Sequence, residues 1–109
     1  MATITIKKKS YNLNDKPVEE WNNPDFVRYY AQRLQELTGE NILEDDSVSF
    51  AGPASRIKKF RAKFNINSRR YKEFVDYIFD NVFPNIEIDS NSFNMIISEK
   101  MYNNAMKNL

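Results

Sequence analysis

Eight lysine and arginine side chains lie between residues 54 and 72, in a stretch that contains no aspartate or glutamate. Clustered cations of this kind hold phosphate groups, which receive most of the contacts that proteins make to nucleic acids. Asn67 and Ser68 lie within the stretch and are candidates for reaching base edges or adding backbone contacts. The predicted nucleic-acid-binding residues are Arg56, Lys58, Lys59, Arg61, Lys63, Asn67, Ser68, Arg69, Arg70 and Lys72.

The acids are concentrated elsewhere, so a net charge of only +1 hides a polarised chain. Residues 14–46 contain nine acids and three bases, a net charge of −6, whereas residues 54–72 carry +8. Two other interpretations of this pattern stay open: the basic stretch is solvated or pairs with the acidic half, or the chain binds a protein. If the chain binds a protein, it would be an accessory protein that modulates a host protein, as an inhibitor or a nucleic-acid mimic. It would do so through the acidic segment 36–46. Its acids are Glu36, Glu40, Glu44, Asp45 and Asp46.

The residue types that most enzymes need are missing. The chain has no histidine and no cysteine, which removes the usual general base, Cys–His nucleophiles and most metal sites. Its two glycines cannot form a phosphate-cradling loop of the Walker or dinucleotide-binding type. We therefore expect a non-catalytic protein with no cofactor and no metal site.

The elements that must position the cations have the spacing of a helix-turn-helix over 54–83. A helix is predicted at 54–64, and one of its faces carries Ile57, Phe60 and Phe64. The basic residues cover its remaining faces, with Arg61 at the edge of the core. A turn at 65–67 follows, and Ser68 is the predicted N-cap of a helix at 69–82.

The charges along that second helix run against its dipole. Arg69, Arg70 and Lys72 lie at its start, where cations cost about 0.3–1 kcal/mol each. This order favours a surface that offers cations to phosphates. The alternative is that i,i+4 pairs, Arg69 with Glu73 and Lys72 with Asp76, offset part of the cost.

The rest of the chain predicts two more helices and a small sheet. Helix 24–38 would be capped by Asn23 and ended by Gly39, and a last helix would cover 92–107. Residues 3–8, 47–50 and 86–88 alternate like short strands. We expect a single domain over 1–109 of mostly α (α+β) class, with about four helices and a winged-helix-like arrangement around a small antiparallel sheet.

The location follows from what the sequence lacks. The N-terminus puts apolar residues before its lysines, the reverse of a secretory leader, and the longest clean apolar run, 95–97, is far too short to span a membrane. We expect a cytoplasmic protein with no membrane partner.

Three segments and one tryptophan carry a resemblance to known proteins: Trp21, Phe26-Val27-Arg28-Tyr29-Tyr30, Ser55-Arg56-Ile57-Lys58-Lys59-Phe60 and Tyr71-Lys72-Glu73-Phe74-Val75-Asp76-Tyr77-Ile78-Phe79. In these segments the sequence resembles small phage-encoded proteins associated with DNA replication or DNA binding. High Asn, Lys, Ile and Tyr content fits the AT-rich genomes of many phages. The resemblance implies DNA binding in replication, recombination or transcription control in the host cytoplasm, with a host or phage protein as a further partner. It leaves strandedness and homo-oligomerisation open.

Overall fold

A computed structural model describes residues 16–39, 51–89 and 91–109, and about 81% of that part of the chain is helical. The α-helices within it are α1 (Asn23–Thr38), α2 (Ala51–Phe64), α3 (Ser68–Tyr77) and α4 (Glu99–Asn108). Short helical turns join them: 3-10 turns at Val18–Glu20, Phe83–Asn85 and Ser92–Ile97, and a π turn at Ile78–Val82. The mostly-α class is confirmed.

The predicted sheet, and with it the winged-helix-like arrangement, is wrong. Residues 86–88 form no strand, and no strand occurs elsewhere in the described ranges. Ile86 is 38% exposed and Ile88 is half-buried against the core, so the alternation marks one partly buried side chain rather than a strand face. The other two predicted strands, 3–8 and 47–50, lie outside the described residues.

Helix α1 begins with a capping box, in which the side chains of Asn22 and Asp25 each accept a hydrogen bond from the other residue's backbone N–H. The Asn22 side chain accepts from the N–H of Asp25 (2.9 Å), and the Asp25 carboxylate accepts from the N–H of Asn22 (2.8 Å). The cap is therefore Asn22 and not the predicted Asn23, because Asn22 lies three residues before a carboxylate that can complete a capping box. Gly39 ends the helix as predicted, at a φ of 86° that favours glycine.

Helix α2 starts earlier than the predicted residue 54, because Gly52 and Pro53 fall in its first turn. A proline costs little there, since the first N–H groups of a helix have no partner within it. At the other end Asn65 takes a φ of 56°, and the N–H of Ile66 bonds to the carbonyl of Arg61 (2.9 Å). This left-handed stop confirms the predicted turn at 65–67.

The predicted helix at 69–82 is helical throughout but changes its geometry, and the predicted last helix is interrupted. The segment predicted as helix 69–82 changes at Ile78 from α to π geometry and then to a 3-10 turn that contains Pro84, which cannot continue an α-helix. The segment predicted as helix 92–107 is broken at Ser98, whose extended backbone and side chain cap α4 by accepting from the N–H of Met101 (3.3 Å).

Aromatic rings of α1, α2 and α3 are buried in the core, and the half-buried ring of Tyr102 in α4 packs against them. Tyr30 and Tyr71 are among the buried rings, and Phe26 contacts Tyr71 edge-on with 4.9 Å between ring centroids. Tyr71 is fully buried, and its hydroxyl donates to the carbonyl of Ile96 (2.7 Å). This bond joins α3 to the 3-10 turn that precedes α4.

Replacing Tyr71 by Phe leaves the Ile96 carbonyl without its donor. A buried group that loses its partner costs about 1–3 kcal/mol, so we expect Tyr71→Phe to lower the free energy of unfolding by that amount in urea titrations. Tyr77→Phe is the control, because no hydrogen bond joins its hydroxyl to the described part of the chain. Equal effects of the two substitutions would contradict the assignment.

The buried tyrosines also predict how stability depends on alkaline pH. Burial, with a smaller contribution from the charge of Asp89, raises the pKa of Tyr30 to about 12. In the unfolded chain a tyrosine titrates near pH 10. The raised pKa therefore adds to the free energy of unfolding an amount that is fully present below about pH 10 and is lost between about pH 10 and 12. We expect the free energy of unfolding of Tyr30→Phe to fall less steeply over that window, by about 1.4 kcal/mol per pH unit. Parallel pH profiles for the variant and the wild type would contradict this expectation.

Candidate nucleic-acid interface

Four of the predicted cations form an exposed basic face on α2, namely Arg56, Lys58, Lys59 and Lys63. The helix turns them outward because Ile57 and Phe60 point into the core. None of the four makes an ion pair with a carboxylate of the described residues. We call this surface the α2 face.

Two of these cations are held by neighbouring rings. The Arg56 guanidinium lies 5.1 Å from the ring centroid of Phe93 and donates weakly to the Asn94 side chain (3.4 Å). The Lys63 ammonium lies 5.4 Å from the ring centroid of Phe64. Such contacts orient a cation without neutralising its charge.

The cations of α3, in contrast, are paired with acids. Arg69 bonds to Glu19 near the start of the described chain, and this hydrogen bond lowers the pKa of Glu19. Arg70 lies 3.7 Å from Glu73. Lys72 donates to Asp76 (2.9 Å), the i,i+4 pair that the sequence indicated. Arg69 does not make its predicted pair with Glu73.

Lys72 belongs to a polar network that joins α1 to α3. Tyr29 donates to Asp76, and Arg33 donates to Asp76 (2.9 Å) and to Asp80 (2.8 Å). Burial is the largest single influence on Lys72 and disfavours its charged form, but the hydrogen bond to Asp76, the charge of Asp76 and the interaction with Tyr29 together outweigh burial and raise the pKa of Lys72. These charges stabilise the packing of two helices. The sequence did not reveal this role, because Arg33 and Asp76 are more than forty residues apart.

Arg61 contributes to the fold rather than to the exposed face. Its guanidinium donates to the Asn23 side chain (2.9 Å), to the carbonyl of Ile66 (3.1 Å) and to the hydroxyl of Ser68 (2.9 Å). It also lies 5.1 Å from the ring centroid of Phe26. Burial lowers the pKa of Arg61.

The two predicted polar contacts also have structural roles. Ser68 is nearly buried, and its hydroxyl donates to the carbonyl of Trp21 (2.9 Å). The predicted N-cap of α3 was Ser68, but the cap is Asn67, whose side chain accepts from the N–H of Arg70 (2.7 Å). Asn67 itself is exposed and lines a groove at the α2–α3 junction.

Asn23 and Asn65 line the same groove, and the sequence prediction missed both. Each lies at a helix end, where asparagine is common for reasons of capping and backbone conformation alone. Only the approach of α1 to the α2–α3 turn brings them together, so no local signal marked them.

The acidic segment that carries the alternative prediction is described only at its start. Glu36 is exposed and lies 3.7 Å from Arg33. Glu40, Glu44, Asp45 and Asp46 lie outside the described residues.

Within the described ranges no three acidic side chains lie close enough together to hold a metal ion. None of the helices there combines the length and the apolar character needed to cross a membrane. Comparison with models of known protein families, with curated proteins and with solved structures finds no match.

The internal bonds of Arg61 predict a loss of stability when it is replaced. Arg61→Ala leaves three acceptors without their donor, and we expect a decrease of about 1–3 kcal/mol in the free energy of unfolding. Lys59→Ala removes an exposed cation from the same helix and should change that energy by less than about 0.5 kcal/mol. Urea titrations compare them, and a cost of Arg61→Ala no greater than that of Lys59→Ala would contradict its structural role.

Proposed function

We propose that this protein binds nucleic acid, as a non-catalytic DNA-binding protein, through phosphate contacts made by the α2 face. The observation that carries the proposal is the contrast between two adjacent helices. The cations of α3 have carboxylate partners, while the four cations of the α2 face are exposed and have no carboxylate partner among the described residues. Exposed cations on one helix are a suitable surface for a phosphate backbone.

The spacing of the α2 cations supports the same function. Arg56, Lys59 and Lys63 follow one another at intervals of three and four residues, so they lie in a line along one side of the helix. The line extends about 10 Å along the axis, at about 1.5 Å per residue. Like charges at this spacing cost about 0.2–0.5 kcal/mol per pair, so they do not serve the stability of the helix itself.

Duplex DNA is a better match to this surface than single-stranded DNA. Single-strand binding uses accessible aromatic side chains on which bases stack. Every aromatic ring in the described ranges is buried or half-buried, and the hydroxyl of Tyr29 is bonded to Asp76. Phosphate contacts do not require rings, so the α2 face can follow the backbone of a duplex.

The resemblance to small phage proteins adds a setting to this proposal. The protein would act on DNA in replication, recombination or transcription control in the cytoplasm of a host cell. The phosphate contacts would supply affinity without sequence preference, because phosphates are the same at every base pair.

Fluorescence anisotropy of a labelled duplex, titrated with protein at several salt concentrations, tests the proposal. Four phosphate contacts predict a slope of roughly −3.5 in a plot of log affinity against log salt. The triple variant Arg56→Gln, Lys59→Gln, Lys63→Gln should reduce the slope to roughly −1.

A matched control separates the α2 face from the net charge. Arg69→Gln, Lys100→Gln and Lys107→Gln together remove the same three charges from exposed positions on α3 and α4. We expect this control to keep most of the wild-type slope. Equal losses in the two triple variants, or no binding of the wild type at micromolar protein in low salt, would refute the proposal.

A further inference from the structure

An open groove lies where the end of α2 meets the start of α3. The residues that line it are Asn23, Lys58, Arg61, Ala62, Asn65, Ile66 and Asn67. No carboxylate lines the groove. It adjoins the α2 face, because Lys58 belongs to both.

The hydrogen bonds already made by two of the asparagines decide which polar atoms face a ligand. The side-chain oxygen of Asn23 accepts from Arg61, and that of Asn67 accepts from the N–H of Arg70. Both partners are donors only, so these bonds identify the oxygens and leave the two amide NH₂ groups as the remaining polar atoms. Neither NH₂ group has a partner in the described part of the chain.

The rest of the lining adds further donors. Lys58 is exposed, and its ammonium makes no ion pair with a described carboxylate. Asn65 is exposed, and its side chain makes no hydrogen bond within the described ranges. Arg61 adds a second positive charge to the lining, in a half-buried position where water screens it less than at the surface.

We propose that this groove binds one phosphate group through Lys58 and the side-chain amides of Asn23, Asn65 and Asn67. A ligand that accepts several hydrogen bonds and carries negative charge fits a lining that combines amide donors with two cations. The inference rests on the proposed function, in which the phosphate belongs to a DNA backbone. A free phosphate ion has the same chemistry and is the second source that the experiment distinguishes.

Lys58 and Lys59 give a matched comparison, since both are exposed lysines on one helix and only Lys58 lines the groove. We expect Lys58→Gln to weaken duplex binding about tenfold, equivalent to about 1.4 kcal/mol. Lys59→Gln removes the same charge from the α2 face and should weaken it about threefold.

A second variant tests the amides without changing the charge. Asn65 has a φ of 56°, a conformation that glycine adopts without strain, so Asn65→Gly removes the side chain and keeps the backbone. We expect it to weaken duplex binding about threefold, while Asn103→Ala on the exposed side of α4 leaves binding unchanged.

NMR spectra of the ¹⁵N-labelled protein then locate the ligand and separate its two sources. Shifts in the side-chain amide signals of Asn23, Asn65 and Asn67 on adding duplex, with Lys58→Gln weaker than Lys59→Gln, support a backbone phosphate. The same shifts with millimolar inorganic phosphate, together with duplex binding that Lys58→Gln and Lys59→Gln weaken equally, support the groove as a site for free phosphate.

The remaining outcomes contradict phosphate binding in the groove, and they distinguish that result from a failure of the proposed DNA-binding function. Duplex binding with equal effects of Lys58→Gln and Lys59→Gln, and unmoved amide signals with both probes, would overturn the groove while the proposed function stands. If the wild type binds no duplex, the proposed function fails, and unmoved signals in inorganic phosphate then overturn the groove as well.

Discussion

The guanidinium of Arg61 is the point on which the arrangement of three helices depends. Arg61 lies near the end of α2 and bonds to the turn at Ile66, to the start of α3 at Ser68 and to the start of α1 at Asn23. Each acceptor comes from a different element, and Ser68 extends the connection to the carbonyl of Trp21. The half-buried guanidinium of Arg61 therefore fixes the orientation of α2 relative to α3, and with it the direction in which the α2 face points.

Pairing with carboxylates divides the basic stretch into two kinds of cation. The cations of α3 have partners from elsewhere in the chain or from their own helix, as Arg69 has in Glu19 and Lys72 in Asp76. The cations of the α2 face have no carboxylate partner among the described residues, so their charge is available to a ligand. The part of the stretch that carries the function proposed above is therefore α2, together with the groove at its end.

Much of the fold could be predicted because its signals are local. The apolar stripe of α1, the stop at Gly39 and the turn at 65–67 each follow from residues within a few positions of one another. The cap positions were wrong by one residue, and the larger errors arose where tertiary contacts decide. The predicted last helix is broken at Ser98, next to the segment whose Ile96 carbonyl is bonded to Tyr71, and the alternation at 86–88 met no partner strand among the described residues.

The sequence by itself determined that this chain is mostly helical, that its buried face is aromatic and that eight cations lie within one stretch without an acid. These properties depend on composition and periodicity, which act over a few residues. Only the tertiary structure decided which cations stay exposed and which asparagines meet at the groove. The physical reason is that ion pairs and hydrogen bonds such as Arg69–Glu19 and Arg61–Asn23 join residues far apart in the chain, and their formation depends on how the helices pack.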